Sequence, residues 1–156
     1  MNKADGFSLI EVLVALVVLS IGMLGIAALH IDGVRTGYSA LQRTHAVNLA
    51  ADMADRIRAN PGGNYDVGAG PAGGAPADIC ADTNAAEAPG DCNPDQMATY
   101  DVWEWRSALD PTTATGLPGG VGQIDLDAAT DPDSHIITVS WEDKGQTRNY
   151  RLTVQQ

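Results

Sequence analysis

One carboxylate stands inside the longest apolar stretch of the sequence. Glu11 is the single ionisable side chain between Phe7 and Leu29, in a run that reads FSLIEVLVALVVLSIGMLGIAAL. A carboxylate is costly in hydrocarbon, so it needs a cationic partner or a place at the membrane surface. The chemistry that Glu11 predicts is ion pairing with a positive charge from another chain. The alternative is a side chain that reaches the membrane surface or stays protonated.

The two cysteines of the chain form a second candidate for covalent chemistry. Cys80 and Cys92 are the only cysteines, and a bridge between them would close a loop of about 13 residues, which stabilises by roughly 3 kcal/mol in the chain-entropy account. A metal pair is the alternative, although neither a CxxC spacing nor a nearby histidine supports it. We expect a disulfide, and with it an oxidising compartment.

Catalytic and metal-binding motifs were not found. The sequence has no GxSxG elbow, no phosphate loop and no HExxH motif. The three histidines lie far apart along the chain: His30, His45 and His135. Four aspartates could gather calcium but lack the EF-hand spacing and its central glycine: Asp125, Asp127, Asp131 and Asp133. We interpret these aspartates as a solvated acidic loop, and we expect no enzymatic activity, no cofactor and no metal.

Composition limits the size of the protein and the kinds of partner. The chain has 156 residues, with 20 acidic and 9 basic side chains and a formal net charge of -11. This length allows one domain and little more. Nucleic acid would be repelled by most of such a surface, so we expect no nucleic-acid partner. Aromatic residues are only 5% of the chain, which predicts a small core and excludes a large enzyme fold.

The element that must carry Glu11 is a membrane helix. The run from Phe7 to Leu29 is long enough, at about 1.5 Å per residue, to cross a hydrocarbon core of roughly 30 Å. A secretory signal peptide should have a shorter core and a small-x-small cleavage site, and a small soluble domain could not cover a helix that is apolar all round. Lys3 and the amino terminus favour a cytoplasmic start, which places everything after His30 outside.

The helix is expected to continue beyond the membrane with an amphipathic pattern. A single helix from about Ser8 to Ala59 would be about 78 Å long, with Pro61 and two glycines as its stop signal. Its apolar residues recur at spacings of three and four: Ile31, Val34, Tyr38, Leu41, Val47, Ala50, Met53 or Ala54, and Ile57. This pattern predicts that the second half of the helix packs under a small sheet.

The remainder of the chain predicts a loop, a short helix and a small antiparallel sheet. The segment 60–93 is rich in Gly, Ala, Pro, Asp and Asn, so we expect a long surface loop with a negligible contribution to the core. Asn93 and Pro94 favour the start of a helix that ends at Leu109, with Trp105 as its core anchor. Three strands follow with alternating apolar residues, and the last two are joined by a tight turn: Ile124 and Leu126; Ile137, Val139 and Trp141; Tyr150, Leu152 and Val154.

The amino terminus resembles the type IV prepilin signature. It has a short polar leader that ends in Gly6, then the aromatic Phe7, then an apolar stretch with a glutamate five positions after the glycine. This resemblance implies that a prepilin peptidase cuts between Gly6 and Phe7 and methylates the new amino terminus on Phe7. It also implies a partner for Glu11, the charged amino terminus of the neighbouring subunit in a filament. Such a pair is physically reasonable because opposite charges attract strongly where the dielectric is low.

Weaker features make the whole chain similar to the PilV-type minor pilins. They are LAADMADRIRANP, the sequence from Leu117 to Gly120, ITVSW, and an alanine at position 28 where major pilins usually have proline. The resemblance implies an α+β, pilin-like fold, with a long N-terminal helix packed on a small antiparallel β-sheet. We divide the chain into a leader (1–6), a transmembrane and filament-core half-helix (7–29), an amphipathic half-helix (30–60) and an outer domain (61–156).

The function that the resemblance implies is that of a minor pilin that enters a type IV pilus and helps to prime its assembly. Its partners would be the prepilin peptidase, other minor pilins, the major pilin, the assembly platform and the inner membrane. The chain would cross the inner membrane once, with a periplasmic outer domain, and would reach the cell surface in the pilus. Pseudopilins of type II secretion share the amino-terminal signature and are the nearest alternative, and a membrane-anchored periplasmic binding module is a further one.

Overall fold

Two helices and four strands form the described part of the chain, which comprises residues 8–77, 79–80, 92–114, 116–129 and 133–155 of a computed structural model. In chain order they are α1 (Leu9–Ala59), β1 (Val67–Gly70), α2 (Pro94–Leu109), β2 (Val121–Asp127), β3 (Ser134–Asp143) and β4 (Gln146–Gln155). The expected α+β class is confirmed, as is a helix that ends just before Pro61.

The chain divides into two compact units between Ala40 and Leu41. The first unit contains most of α1, and the second contains residues 41–59 of that helix together with α2 and the sheet. The predicted boundaries at residues 29 and 60 concern the membrane and the filament, and they stay predictions.

The four strands form one antiparallel sheet in the order β1-β2-β3-β4. The predicted hairpin between β3 and β4 is confirmed, because Asp143 pairs with Gln146 across a two-residue turn. Lys144 and Gly145 both have positive φ, of 53° and 73°. Such angles give the tight turn whose twist matches that of the two strands, and glycine adopts them without steric cost.

The core of the second unit lies between the two helices and one face of the sheet. The end of α1 contributes Ala46, Ala50, Met53, Ala54 and Ile57, which are all buried. The sheet contributes Ile124, Ile137, Val139, Trp141 and Val154, and Trp105 of α2 fills the space between them. The Trp105 indole donates a hydrogen bond to the Leu49 carbonyl at 2.9 Å, which satisfies the one polar atom of this anchor.

The start of α2 also agrees with its sequence. The Asn93 side chain accepts a hydrogen bond from the Gln96 backbone N–H at 2.9 Å, and the Gln96 side chain accepts one from the Asn93 N–H at 2.9 Å. This is a complete capping box followed by proline in the first turn.

The prediction that segment 60–93 is only a surface loop is wrong for its described residues. Residues 67–70 form β1, the edge strand that pairs with β2, and Val67 lies opposite Ile124. Tyr65 is completely buried in the core. The composition of this segment predicted neither β1 nor the burial of Tyr65. One aromatic residue among many small ones is enough to fix a segment to the core, because a partner strand supplies the backbone hydrogen bonds.

The predicted apolar stripe of α1 is correct only in its second part. Ala50, Met53, Ala54 and Ile57 are buried, but the first four members of the stripe are exposed: Ile31, Val34, Tyr38 and Leu41. The buried face begins instead at Gln42, one residue after the start of the second unit. On β2, Ile124 is buried whereas Leu126 is 43% exposed.

Candidate assembly site

Glu11 lies in the first turn of α1. The helix starts after Ser8, whose carbonyl accepts hydrogen bonds from the backbone N–H of Glu11 at 3.0 Å and of Val12 at 3.4 Å. The side chain of Glu11 is exposed, and it forms no ion pair with any described residue. A carboxylate at this end of a helix is favoured by the helix dipole, but the dipole supplies no counter-charge. The carboxylate is therefore available to a cation from outside the described chain.

The helix around Glu11 is apolar and uncovered. By length and composition α1 is able to cross a membrane, and no part of its most apolar window is buried within the structure. Leu9, Leu24 and Leu29 are each more than 70% exposed. An apolar surface of this extent needs lipid or other protein around it, since exposed apolar patches of soluble monomers are far smaller.

The two residues of the predicted cleavage site lie outside the described residues. Gly6 and Phe7 precede Ser8, where the description of the chain begins. The geometry of the site therefore consists of Glu11 and the apolar helix that carries it.

The second unit is stabilised near the end of α1 by a polar cluster centred on Arg56. Its Nη1 donates to Asp101 Oδ1 at 3.0 Å and to Glu104 Oε2 at 2.5 Å, and its Nε donates to Asp52 Oδ2 at 3.0 Å. Burial alone would lower the pKa of Arg56, but the hydrogen bonds and charges of these carboxylates raise it. The cation joins α1 to α2 and stays charged at any pH that the protein meets.

Tyr65 completes this cluster from the segment before β1. Its hydroxyl donates to Asp101 Oδ2 at 2.8 Å and accepts a hydrogen bond from Asn60 Nδ2 at 3.1 Å. Burial and the neighbouring Asp101 raise the pKa of this hydroxyl, so it remains a donor. Asn60 also donates to the Pro94 carbonyl at 2.8 Å, which fixes the start of α2 beside the end of α1.

His135 is a buried titratable group beside Tyr65. Its ring packs edge-on against Tyr65, with ring centroids 6.3 Å apart, and its Nδ1 has no hydrogen-bond partner among the described residues. Burial lowers the pKa of the imidazole, although Asp66 and Asp133 oppose this effect. His135 is therefore a neutral core residue.

The expected disulfide is confirmed. Cys80 and Cys92 are bonded, with their Cα atoms 5.9 Å apart, and Cys92 directly precedes the cap residue of α2. The two other histidines and the acidic residues 125, 127 and 133 do not meet in a metal-binding group anywhere in the described part of the chain, and Asp131 lies outside it.

Sequence reasoning missed Tyr65, Asp101 and the role of Arg56. A usable signal was present for Arg56, since an arginine beside the buried Met53 and Ile57 positions faces whatever packs on that helix. No comparable signal marks Tyr65 or Asp101, whose burial depends on contacts between distant segments.

The long uncovered helix and the small sheet domain define a pilin-like protein, and comparison with known families agrees. A family model described as type IV pilin Tt1218 matches residues 28–103, and the model of the prokaryotic N-terminal methylation motif matches residues 1–27. No curated protein and no solved structure matches the chain.

The two matched segments are consecutive, and together they identify the chain as a type IV pilin. The methylation motif implies processing by a prepilin peptidase and incorporation into a pilus. The single apolar helix fits a protein that is anchored in the inner membrane before it is assembled. Pilins are structural proteins rather than enzymes.

Proposed function

We propose that this chain is a minor pilin of the PilV type, cleaved between Gly6 and Phe7 and methylated on Phe7. The observation that carries the proposal is the methylation motif at residues 1–27, within which Gly6 precedes an aromatic residue and Glu11 follows at the fifth position. The minor role is supported by Ala28, in the place of the proline that is usual in major pilins.

Glu11 acts in assembly and not in folding. It is exposed in α1 without a described cationic partner, and the new amino terminus created by cleavage is a cation that lies at the same level of a neighbouring helix. In a bundle of apolar helices each charge alone is costly, so pairing favours a subunit docked at the correct height.

Before assembly the chain crosses the inner membrane once, with its amino terminus in the cytoplasm and its sheet domain in the periplasm. The Cys80–Cys92 disulfide agrees with a periplasmic location for the second unit, because disulfides persist in oxidising compartments. Together with other minor pilins it primes the pilus, and the major pilin then follows.

The proposal is tested by the mass of the mature amino terminus. Intact-mass analysis of the protein from sheared pili or membranes should show loss of residues 1–6 and the addition of one methyl group. Gly6→Val should leave full-length precursor in the inner membrane, since a side chain does not fit the tight backbone before the cleaved bond. Gly33→Ala is a matched control, because a Cβ at Gly33 meets nothing within 4 Å. An unmodified Met1 in the mature wild-type protein would contradict the proposal.

A further inference from the structure

Within the part of the chain that the structure describes, the outer edge of β4 is a long row of unpaired backbone groups. β4 is the last strand of the sheet and is joined to β3 by ten consecutive pairs without a register shift. Because residues on such a strand bond alternately to either side, the odd-numbered residues from Thr147 to Gln155 direct their N–H and C=O groups away from the sheet. No hydrogen bond outside the β3 ladder uses these groups in the described part of the chain. Such an edge is a template for another strand.

The devices that usually block an edge strand are few here. β4 contains no proline and no bulge, and its ten residues make it as long as β3. Tyr150 and Leu152 are only partly buried on the core face, where they flank the hydrophobic core. A strand added beside β4 would cover these two side chains and so remove apolar area from water.

The charge of this edge is opposite to that of the protein. Three of the nine basic residues, Lys144, Arg148 and Arg151, lie within eight positions, and residues 144–156 contain no acidic side chain. Neither arginine forms an ion pair with a described carboxylate. In a chain of net charge -11, a local cationic strand favours an acidic partner.

A second copy of β4 is a poor occupant of this edge. Full-length antiparallel pairing of the outward-directed residues 147–155 centres on Arg151, so it would place Arg151 directly opposite the same residue of the second copy. Like charges that face each other across a strand pair destabilise it. The arginine thus opposes self-association and leaves the edge open to a strand of opposite charge.

We propose that the β4 edge binds an extended segment of a partner protein by β-strand addition. The added segment carries an acidic side chain opposite Arg151 and apolar side chains over Tyr150 and Leu152. Backbone hydrogen bonds supply affinity, and the alternating side chains supply selectivity. This binding is separate from incorporation into a filament through the apolar part of α1, because it uses the β4 edge of the sheet.

The test uses the full chain in detergent micelles and two synthetic peptides that differ only in charge. One peptide has ten residues of alternating Val and Glu, and the other has Lys in place of Glu. Fluorescence anisotropy should show that the Glu peptide binds at least tenfold more tightly than the Lys peptide. Arg151→Glu should abolish or reverse this preference. Arg43→Glu makes the same change of charge on an exposed position of α1 and should leave the preference intact.

A second variant separates strand addition from simple attraction of charges. Thr153→Pro removes an edge N–H that the sheet does not use, and proline is tolerated on edge strands. It should weaken binding of the Glu peptide at least tenfold without changing the tryptophan fluorescence of the folded unit. In the wild type, the Glu peptide should slow amide exchange at Thr147, Asn149, Arg151 and Thr153.

Several results would overturn the proposal. Absence of binding, equal binding of the two peptides, or full binding by Thr153→Pro would each exclude strand addition by an acidic segment. A dimer in sedimentation analysis that dissociates in Thr153→Pro would identify a second copy, rather than a partner protein, as the occupant.

Discussion

At the scale of single residues, two side chains of the second unit respond differently to pH: Arg56 and His135. Arg56 is held by three carboxylates and keeps its charge, whereas His135 is buried and its Nδ1 has no hydrogen-bond partner among the residues that the structure describes. Since burial of a charged imidazole is unfavourable, its pKa in the folded state lies below the ordinary value of 6.5. This difference predicts how stability depends on pH.

We expect the free energy of unfolding to fall as the pH is lowered from 7 to 5. Above pH 6.5 both states hold a neutral imidazole, but below it the unfolded state binds a proton more readily than the folded state. One such group contributes a slope of at most about 1.4 kcal/mol per pH unit. Urea unfolding, followed by the fluorescence of the three tryptophans, which all lie in the second unit, measures this slope.

His135→Gln should flatten the pH dependence over this range. His30→Gln is the matched control, because His30 is exposed on α1 and should leave the slope unchanged. Equal slopes in the wild type and in His135→Gln would show that His135 is not the titrating group.

At the scale of elements, α2 and β2 approach closely because of Gly122. A Cβ at this position would overlap the Trp105 ring and lie 2.8 Å from Leu109 Cδ1. Arg106 reinforces the contact from α2 by donating to the carbonyls of Gly68 on β1 and Gly122 on β2. The packing of Trp105 against Gly122 and the two hydrogen bonds of Arg106 therefore fix α2 to β1 and β2.

Gly122→Ala should destabilise the second unit by roughly 2 kcal/mol, since overpacking of a dense core forces side chains out of their preferred rotamers. Gly68→Ala is the control, because a Cβ on β1 meets nothing within 4 Å at that position. Urea midpoints from tryptophan fluorescence compare the two variants. A midpoint of Gly122→Ala equal to that of Gly68→Ala would contradict the close approach of α2 to β2.

The disulfide is the covalent constraint on the segment between β1 and α2. Replacing both Cys80 and Cys92 by Ser should lower the free energy of unfolding by roughly 3 kcal/mol, because the unfolded chain loses its closed loop. Reduced wild-type protein should match the double variant, and a reductant should have no effect on the double variant. Non-reducing peptide mapping verifies the bond, and equal stability of the oxidised and reduced wild type would contradict the expected role.

At the scale of the whole molecule, the two units have different environments. The second unit satisfies its apolar residues in its own core, whereas the apolar side chains of α1 in the first unit are exposed. Such a helix is stable only in lipid or among other helices. We therefore expect assembly into a filament to depend on α1 and Glu11, and folding of the outer domain to depend on the second unit.

Glu11→Ala should be cleaved and inserted normally but should be depleted in pili. The proposed cut lies upstream of residue 11, and removal of a carboxylate makes membrane insertion easier. The expected loss is that of the proposed attraction between Glu11 and the methylated amine of a neighbouring subunit. Immunoblots of membranes and of sheared pili should show mature protein in the first and a reduced amount in the second.

Glu11→Gln is the sharper control, since it keeps the shape of the side chain and removes its charge. Ser20→Ala, at an exposed position on the same helix, should be incorporated normally. If both Glu11 variants reach wild-type ratios to the major subunit in pili, the charge pair is excluded and Glu11 is a tolerated residue near the membrane surface.

The sequence by itself determined the features that depend on local patterns. The long helix, its end just before Pro61, the start of α2 at Asn93 and Pro94, the β3–β4 hairpin and the amino-terminal signature all follow from residues that are close together in the chain, and the structure or the family comparisons confirm them. The burial of Trp105 in the core was also predicted from the sequence, because a large apolar residue on the apolar face of an amphipathic helix is usually buried.

Only the tertiary structure decided which residues come together across the chain. Tyr65 was hidden in a segment of small residues, and its burial depends on Asp101, 36 residues later, and on β2, which gives β1 its pairing partner. The predicted stripe of α1 began at Ile31, well before the second unit begins at Leu41, because helical periodicity shows which face is apolar but not what covers it. The free edge of β4 was likewise invisible in the sequence, since a strand becomes an edge only when the order of the sheet is fixed.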